Sequence, residues 1–269
     1  VLTNHGSEQL VMRKFFNFFL LALMTVCMSQ GVLAATEFSA MTRISSAQQG
    51  DVTARVFVGE SGIRSDYELG GNKLVQITDF KAGLVYLVNP ALRSYKQRPI
   101  TMADAAMAGK HLQSSDASPC AGWPGLVCTS QGTEKINGRM AVKWSMSPDE
   151  SEGDRGKAMT VWLDRQRGMP LKQVLPDGAT MTRRLLGTES VNQRQAEKWE
   201  IMVRTANGTS SVSYQWYDEE LGTNIREEQP GGYVRDVYDI KPGPQSASLF
   251  TVPKTYSKIE VGQEQLPLR

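Results

Sequence analysis

The chain has 269 residues, with 30 Lys+Arg against 28 Asp+Glu and a net charge of +2. That near-neutral balance excludes a dedicated nucleic-acid binder, and 22% charged with 40% hydrophobic residues excludes a disordered chain or a polytopic membrane protein. Two histidines, His5 and His111, and three cysteines leave little material for histidine-based catalysis or a metal site.

The N-terminal segment reads as an address. Met12-Arg13-Lys14 is a short basic start, 15–28 is an apolar stretch, and Val32-Leu33-Ala34 supplies the small residues of a cleavage site. These are the three regions of a secretory signal peptide cut after Ala34, with Met12 rather than Val1 as the start and 1–11 as an extension. The apolar run is shorter than a spanning helix needs, so no transmembrane segment is expected after cleavage. The sequence therefore predicts a periplasmic protein with one β-rich domain over 35–269.

From residue 36 the pattern is that of strands. Val52, Ala54, Val56 and Val58 share one face of a strand, with Thr53, Arg55 and Phe57 on the other. Turn signals recur at Gly59-Glu60-Ser61-Gly62, Gly70-Gly71, Asn89-Pro90, Asn137-Gly138, Pro176-Asp177-Gly178, Asn207-Gly208 and Pro230-Gly231-Gly232. Short alternating runs between such turns predict antiparallel hairpins. Strands at 74–79, 84–88 and 92–98 leave no room for helical crossovers, which excludes a doubly wound nucleotide-binding sheet.

The rhythm breaks at 101–112. Thr101 and Asp104 resemble a capping box, and the pairs Met102/Ala106, Ala103/Met107 and Ala108/Leu112 fall at helical spacing. A short helix is expected there. Its Met102, Met107 and Leu112 are candidate contacts for a flexible apolar ligand, a use that methionine suits. Cys120 and Cys128 follow, and in an exported chain they read as a disulfide. A redox pair is the alternative, but redox motifs have two residues between the cysteines, not seven. Trp123, inside this loop, is a further candidate ligand or partner contact.

An internal repeat follows. Thr133-Glu134-Lys135-Ile136-Asn137-Gly138-Arg139-Met140-Ala141-Val142-Lys143-Trp144 aligns with Thr188-Glu189-Ser190-Val191-Asn192-Gln193-Arg194-Gln195-Ala196-Glu197-Lys198-Trp199, with seven of twelve positions identical. Trp162, Asp164, Gly168 and Pro176 recur as Trp216, Asp218, Gly222 and Pro230. Segments 133–187 and 188–243 thus read as two copies of one multi-strand unit. Such a repeat builds a long curved sheet, which must close or cover its concave face. Trp144, Trp162, Trp199 and Trp216 fall at equivalent positions and read as sheet packing.

The chain carries no recognisable catalytic or metal signature. His111 has no nucleophile elbow to serve. No cysteine or histidine spacing suits zinc. Asp149-Glu150-Ser151-Glu152 and Asp218-Glu219-Glu220 read as solvated hairpin tips rather than a paired-carboxylate site. Gly-rich spots lack the residues of a phosphate loop. The expectation is no enzyme, no metal and no cofactor.

Several phrases together resemble the lipoprotein-carrier (LolA-like) superfamily of bacterial envelope proteins. They are Gly83-Leu84-Val85-Tyr86-Leu87-Val88-Asn89-Pro90 with Arg93-Ser94-Tyr95, the paired units with Asn137-Gly138 and Lys143-Trp144, and the ending Leu249-Phe250-Thr251-Val252-Pro253-Lys254-Thr255-Tyr256. The resemblance covers roughly 36–259. It implies a mainly β fold: an unclosed antiparallel β-barrel whose concave apolar face is covered by a short helical lid and accepts acyl chains. The partner would then be a lipid or the acyl chains of a lipoprotein. The alternative is an envelope interaction, scaffold or stress-sensing module that holds no small molecule and binds an envelope protein.

Overall fold

The computed structural model describes residues 36–47, 50–101, 118–120, 126–148 and 158–259. The expected helix over 101–112 falls almost wholly outside them. Among the described residues the only helical element is a single 3-10 turn, Ala247–Phe250.

The rest is one sheet. Six strands form the first meander: β1 (Phe38–Ser46), β2 (Gly50–Gly59), β3 (Gly62–Leu69), β4 (Asn72–Asp79), β5 (Leu84–Asn89) and β6 (Ser94–Pro99). Nine more form the second: β7 (Leu126–Ile136), β8 (Arg139–Pro148), β9 (Met159–Asp164), β10 (Pro170–Val174), β11 (Thr180–Val191), β12 (Arg194–Arg204), β13 (Ser210–Asp218), β14 (Thr223–Gln229) and β15 (Tyr233–Pro242). The last of these returns to pair antiparallel with the first strand. A two-residue β16 (Ser257–Lys258) adds a parallel partner to β6. The order runs β16-β6-β5-β4-β3-β2-β1-β15-β14-β13-β12-β11-β10-β9-β8-β7, so the sheet has two ends and is not closed. It matches the antiparallel hairpin sheet expected from the turn spacing and the unclosed form that the resemblance implies. One boundary differs. Leu92 and Arg93 belong to a turn, because Asn89 Oδ1 accepts the Leu92 N–H at 3.1 Å and Arg93 has φ 49°.

The two aligned segments make matching contacts. At the hairpin tips, Asn137 and Asn192 have φ 46° and 49°, followed by Gly138 and Gln193 at 85° and 65°. Two successive positive φ values are what a two-residue hairpin turn of matching twist requires. Each tip then reaches across the sheet. Asn137 Nδ2 donates to the Arg183 carbonyl at 2.9 Å, and Asn192 Nδ2 donates to the Val237 carbonyl at 2.8 Å. A bulge precedes each tip, at Gly132 in β7 and at Gly187 in β11, both with positive φ. Bulges bend strands and increase their twist, so each hairpin curls over its neighbours. Ile136, Ala141 and Trp162 accordingly pack with Leu171, Trp199 and Ile201, while Val191, Ala196 and Trp216 pack with Ile225, Phe38 and Val237.

Cross-strand register sorts the side chains into two faces. One carries Phe38, Ala40, Thr42, Ala54 and Ser65, all buried; we call it the inner face. The other, outer face bears charged rungs such as Arg64 with Asp66 and Arg226 with Glu228 and Asp236. At the β6 end the outer face is covered by the segment after β15. Phe250 is buried against Val75, Ile77 and Val88. Gly59 makes room for it, since a Cβ there would lie 2.6 Å from the Phe250 ring. Glu37 ties the segment down, its two carboxylate oxygens accepting the N–H groups of Glu60 and Gln245.

Candidate functional site

The inner face has an apolar end. Leu126 and Cys128 of β7, Val142, Trp144 and Met146 of β8, and Met159, Val161 and Leu163 of β9 form one cluster with Cys120. Cys120 and Cys128 are disulfide-bonded, with Cα atoms 5.7 Å apart, as the sequence predicts. The Trp144 indole N–H is buried and has no hydrogen-bond partner among the described residues. Its counterpart Trp199 donates to Glu197 at 3.1 Å. The position equivalent to Glu197 is Val142, which has no acceptor to offer. A buried donor without a partner costs on the order of 1–3 kcal/mol, so this end of the face has given up a hydrogen bond for apolar surface.

Further along, the same face turns polar. A cross-strand row runs Leu185–Trp199–Gln215–Glu227–Arg235–Ile44–Val52 from β11 to β2. Glu227 is fully buried, and its Oε1 accepts from Arg235 at 2.9 Å and from Asn224 at 3.3 Å. Its Oε2 has no hydrogen-bond partner among the described residues. Burial holds the Glu227 carboxyl above its usual range, against the pull of Arg235 and Arg183. Arg183, beside this row, donates to Gln215 Oε1 at 3.0 Å and to Met169 Sδ at 3.6 Å. Its Nε is inaccessible and has no partner among the described residues, while the residue as a whole is only half-buried. Burial lowers the guanidinium to about 10, partly opposed by Glu227. This cluster escaped the sequence reading, because strand β14 alternates charge on both faces. Only the register shows which carboxylate is inside.

The outer face carries paired rungs. Trp162 Nε1 donates to Glu134 at 2.7 Å, with Lys143 and Lys172 over its ring at 5.2 and 4.5 Å. Trp216 Nε1 donates to Glu189 at 2.7 Å, with Lys198 and Arg226 at 4.9 and 5.4 Å. All four aligned tryptophans are buried. The reading of Asp218-Glu219-Glu220 as a solvated tip needs correction. Asp218 is buried and holds Arg194, as Asp164 holds Arg139. Asp218 also accepts the Leu221 N–H at 3.0 Å, so the turn is built around its carboxylate.

Of the residues singled out from sequence, the structure places the two cysteines together. Met102, Met107, Leu112 and Trp123 lie outside the described residues, as does His111. Among the described residues no cluster of three or more His, Cys, Asp or Glu is placed to hold a metal ion, and no helix is long and apolar enough to cross a membrane.

No protein-family model matches the chain, and no curated protein matches it. Solved structures resemble it in fold. They include a LolA superfamily protein from Nitrosomonas europaea, 12% identical, with a TM-score of 0.37 over 81% of this chain and 91% of that one. A candidate outer membrane lipoprotein-sorting protein domain from Vibrio parahaemolyticus is 12% identical, with a TM-score of 0.35 over 87% and 94% of the two chains. LprF from Mycobacterium bovis is 10% identical, with a TM-score of 0.28 over 90% and 96%. These are likenesses of strand arrangement, and the functional reading rests on the side chains.

Proposed function

We propose that this is an exported envelope protein that binds a lipid, or the lipid portion of a lipidated partner, on the inner face of its open sheet. The observation that carries the reading is the apolar end of that face. Eight side chains from β7, β8 and β9, among them Trp144, Met146 and Met159, form a largely buried apolar cluster beside the sheet's end strand. Tryptophan and methionine give large, adaptable contact area to a flexible chain. The leader-like 12–34 supports export, with cleavage after Ala34. The Cys120–Cys128 disulfide fits an oxidising compartment. We take 35–269 as one domain, with 133–187 and 188–243 as repeats whose matched contacts favour a common origin.

The test is titration of the purified protein with a fluorescent palmitoyl probe, followed through energy transfer from tryptophan. Saturable binding that unlabelled lipid displaces supports the reading. Absence of saturable binding rejects it and leaves an envelope scaffold that holds no small molecule. Fractionation with N-terminal sequencing tests export separately, with a mature chain starting at Ala35 as the expected result.

A further inference from the structure

Two adjacent strands of the inner face form a strip with one charge in it. Facing pairs from β11 and β12 run Met181/Val203, Arg183/Ile201 and Leu185/Trp199. Five of these six side chains are apolar. Leu185 and Val203 are exposed at 38% and 37%, while Ile201 and Trp199 are buried. The strip therefore reaches solvent on one side and the core on the other.

Arg183 is the exception, and Glu227, the carboxylate that acts on it, does so from beyond ion-pair distance. The neighbouring Arg184, on the outer face, pairs with Glu200 at 2.9 Å. Arg183 donates only to an amide oxygen and a thioether, and among the described residues no carboxylate lies within ion-pair distance of it. Glu227 is engaged by Arg235. Arg235 and Arg183 thus both act on the buried Glu227 carboxylate, and of the two only Arg235 bonds it. A half-buried cation with no bonded carboxylate is costly, and an apolar side chain would be cheaper.

The architecture does not require a guanidinium there. What the hairpin tip uses is the Arg183 carbonyl, which accepts from Asn137. At the equivalent position in the second unit, Val237 accepts from Asn192 in the same way with no charge at all.

We infer that the strip takes an acyl chain ending in an acidic group, a carboxylate or a phosphate, with Arg183 as its counter-charge. This rests on the lipid-binding reading and narrows it to anionic amphiphiles. The chain lies along the exposed side of the strip, on Leu185 and Val203, and the acid reaches the guanidinium, which offers a planar fork of donors. Ser213, cross-strand from Ile201, borders the same spot.

The experiment compares palmitate, hexadecyl phosphate and methyl palmitate as competitors for the palmitoyl probe. Wild-type protein should bind at least one of the two acids roughly tenfold or more tighter than the ester, the worth of a hydrogen-bonded charge. Arg183→Gln should erase that preference and leave ester binding unchanged, and Arg183→Lys should restore part of it. Should Arg183→Gln fail to fold, Leu185→Asp at an exposed position offers Arg183 an internal carboxylate and should also erase the preference. Acetate and inorganic phosphate, which lack a chain, should not displace the acid at equal concentration. Equal binding of acids and ester by wild type overturns the inference but leaves lipid binding standing. So does a preference that survives in the variants, or displacement by acetate or phosphate. Binding of none of the three overturns both.

Discussion

Trp162 and Trp216 are held in the same way, each by one glutamate at the indole N–H and two cations over the ring. The glutamates, Glu134 and Glu189, sit on the first strand of each unit. Lys143 and Lys198 sit on the second, and Lys172 and Arg226 on the strand beyond the tryptophan. A cation–aromatic contact contributes about 0.5–1 kcal/mol where exposed and more when desolvated. Since both rings are buried core residues, Trp162→Ala and Trp216→Ala should each cost about 3–5 kcal/mol in urea unfolding. The two costs should be similar, because the surroundings are.

Gln193 occupies a position where its counterpart is Gly138. Both have positive φ, 65° and 85°. A side chain in the left-handed region costs roughly 1–2 kcal/mol relative to glycine. Gln193→Gly should therefore stabilise the protein by about 1 kcal/mol, and Gly138→Gln should destabilise it by a similar amount. Thermal unfolding of the two variants checks both signs.

Much of this was legible in the sequence, for identifiable reasons. The Asn137-Gly138 pair and the alternation of Val52 to Val58 each encode backbone geometry locally, so strands and turns could be read from them. The inner polar cluster was not legible. Arg183-Arg184 reads as two solvated arginines, yet strand alternation sends one inward and one outward. Arg226-Glu227-Glu228 hides its buried carboxylate in the same way, because inside and outside are set by partners far along the chain. Asp218 was misread for a related reason. A signal was present there, since Asp164 and Asp218 are aligned, as are Arg139 and Arg194, their partners in the fold.

The disulfide closes a short loop, with a sequence separation of 8. On the chain-entropy model, its loss costs roughly 2–3 kcal/mol. Cys120→Ser with Cys128→Ser should lower the urea midpoint accordingly. A thiol assay on unreduced exported protein should find neither cysteine reactive.

Glu227 gives the stability a pH dependence of known sign. Burial raises its folded-state pKa above the ordinary 4.5. The folded protein therefore holds this proton more tightly than the unfolded chain does. The contribution is fully present below about pH 4.5 and is lost as pH rises through the folded value. Comparing wild type with Glu227→Gln isolates it. The stability of wild type minus that of the variant should fall as pH rises above about 4.5, measured by urea unfolding at each pH.

The central claim is that the inner face holds lipid. Native mass spectrometry of protein purified from the cell envelope under non-denaturing conditions tests it most directly. The account predicts a population heavier than the processed polypeptide by the mass of an acyl lipid, released as a free lipid ion on collisional activation. A single species at the mass of the bare polypeptide, unchanged after incubation with envelope lipid extract, would contradict it.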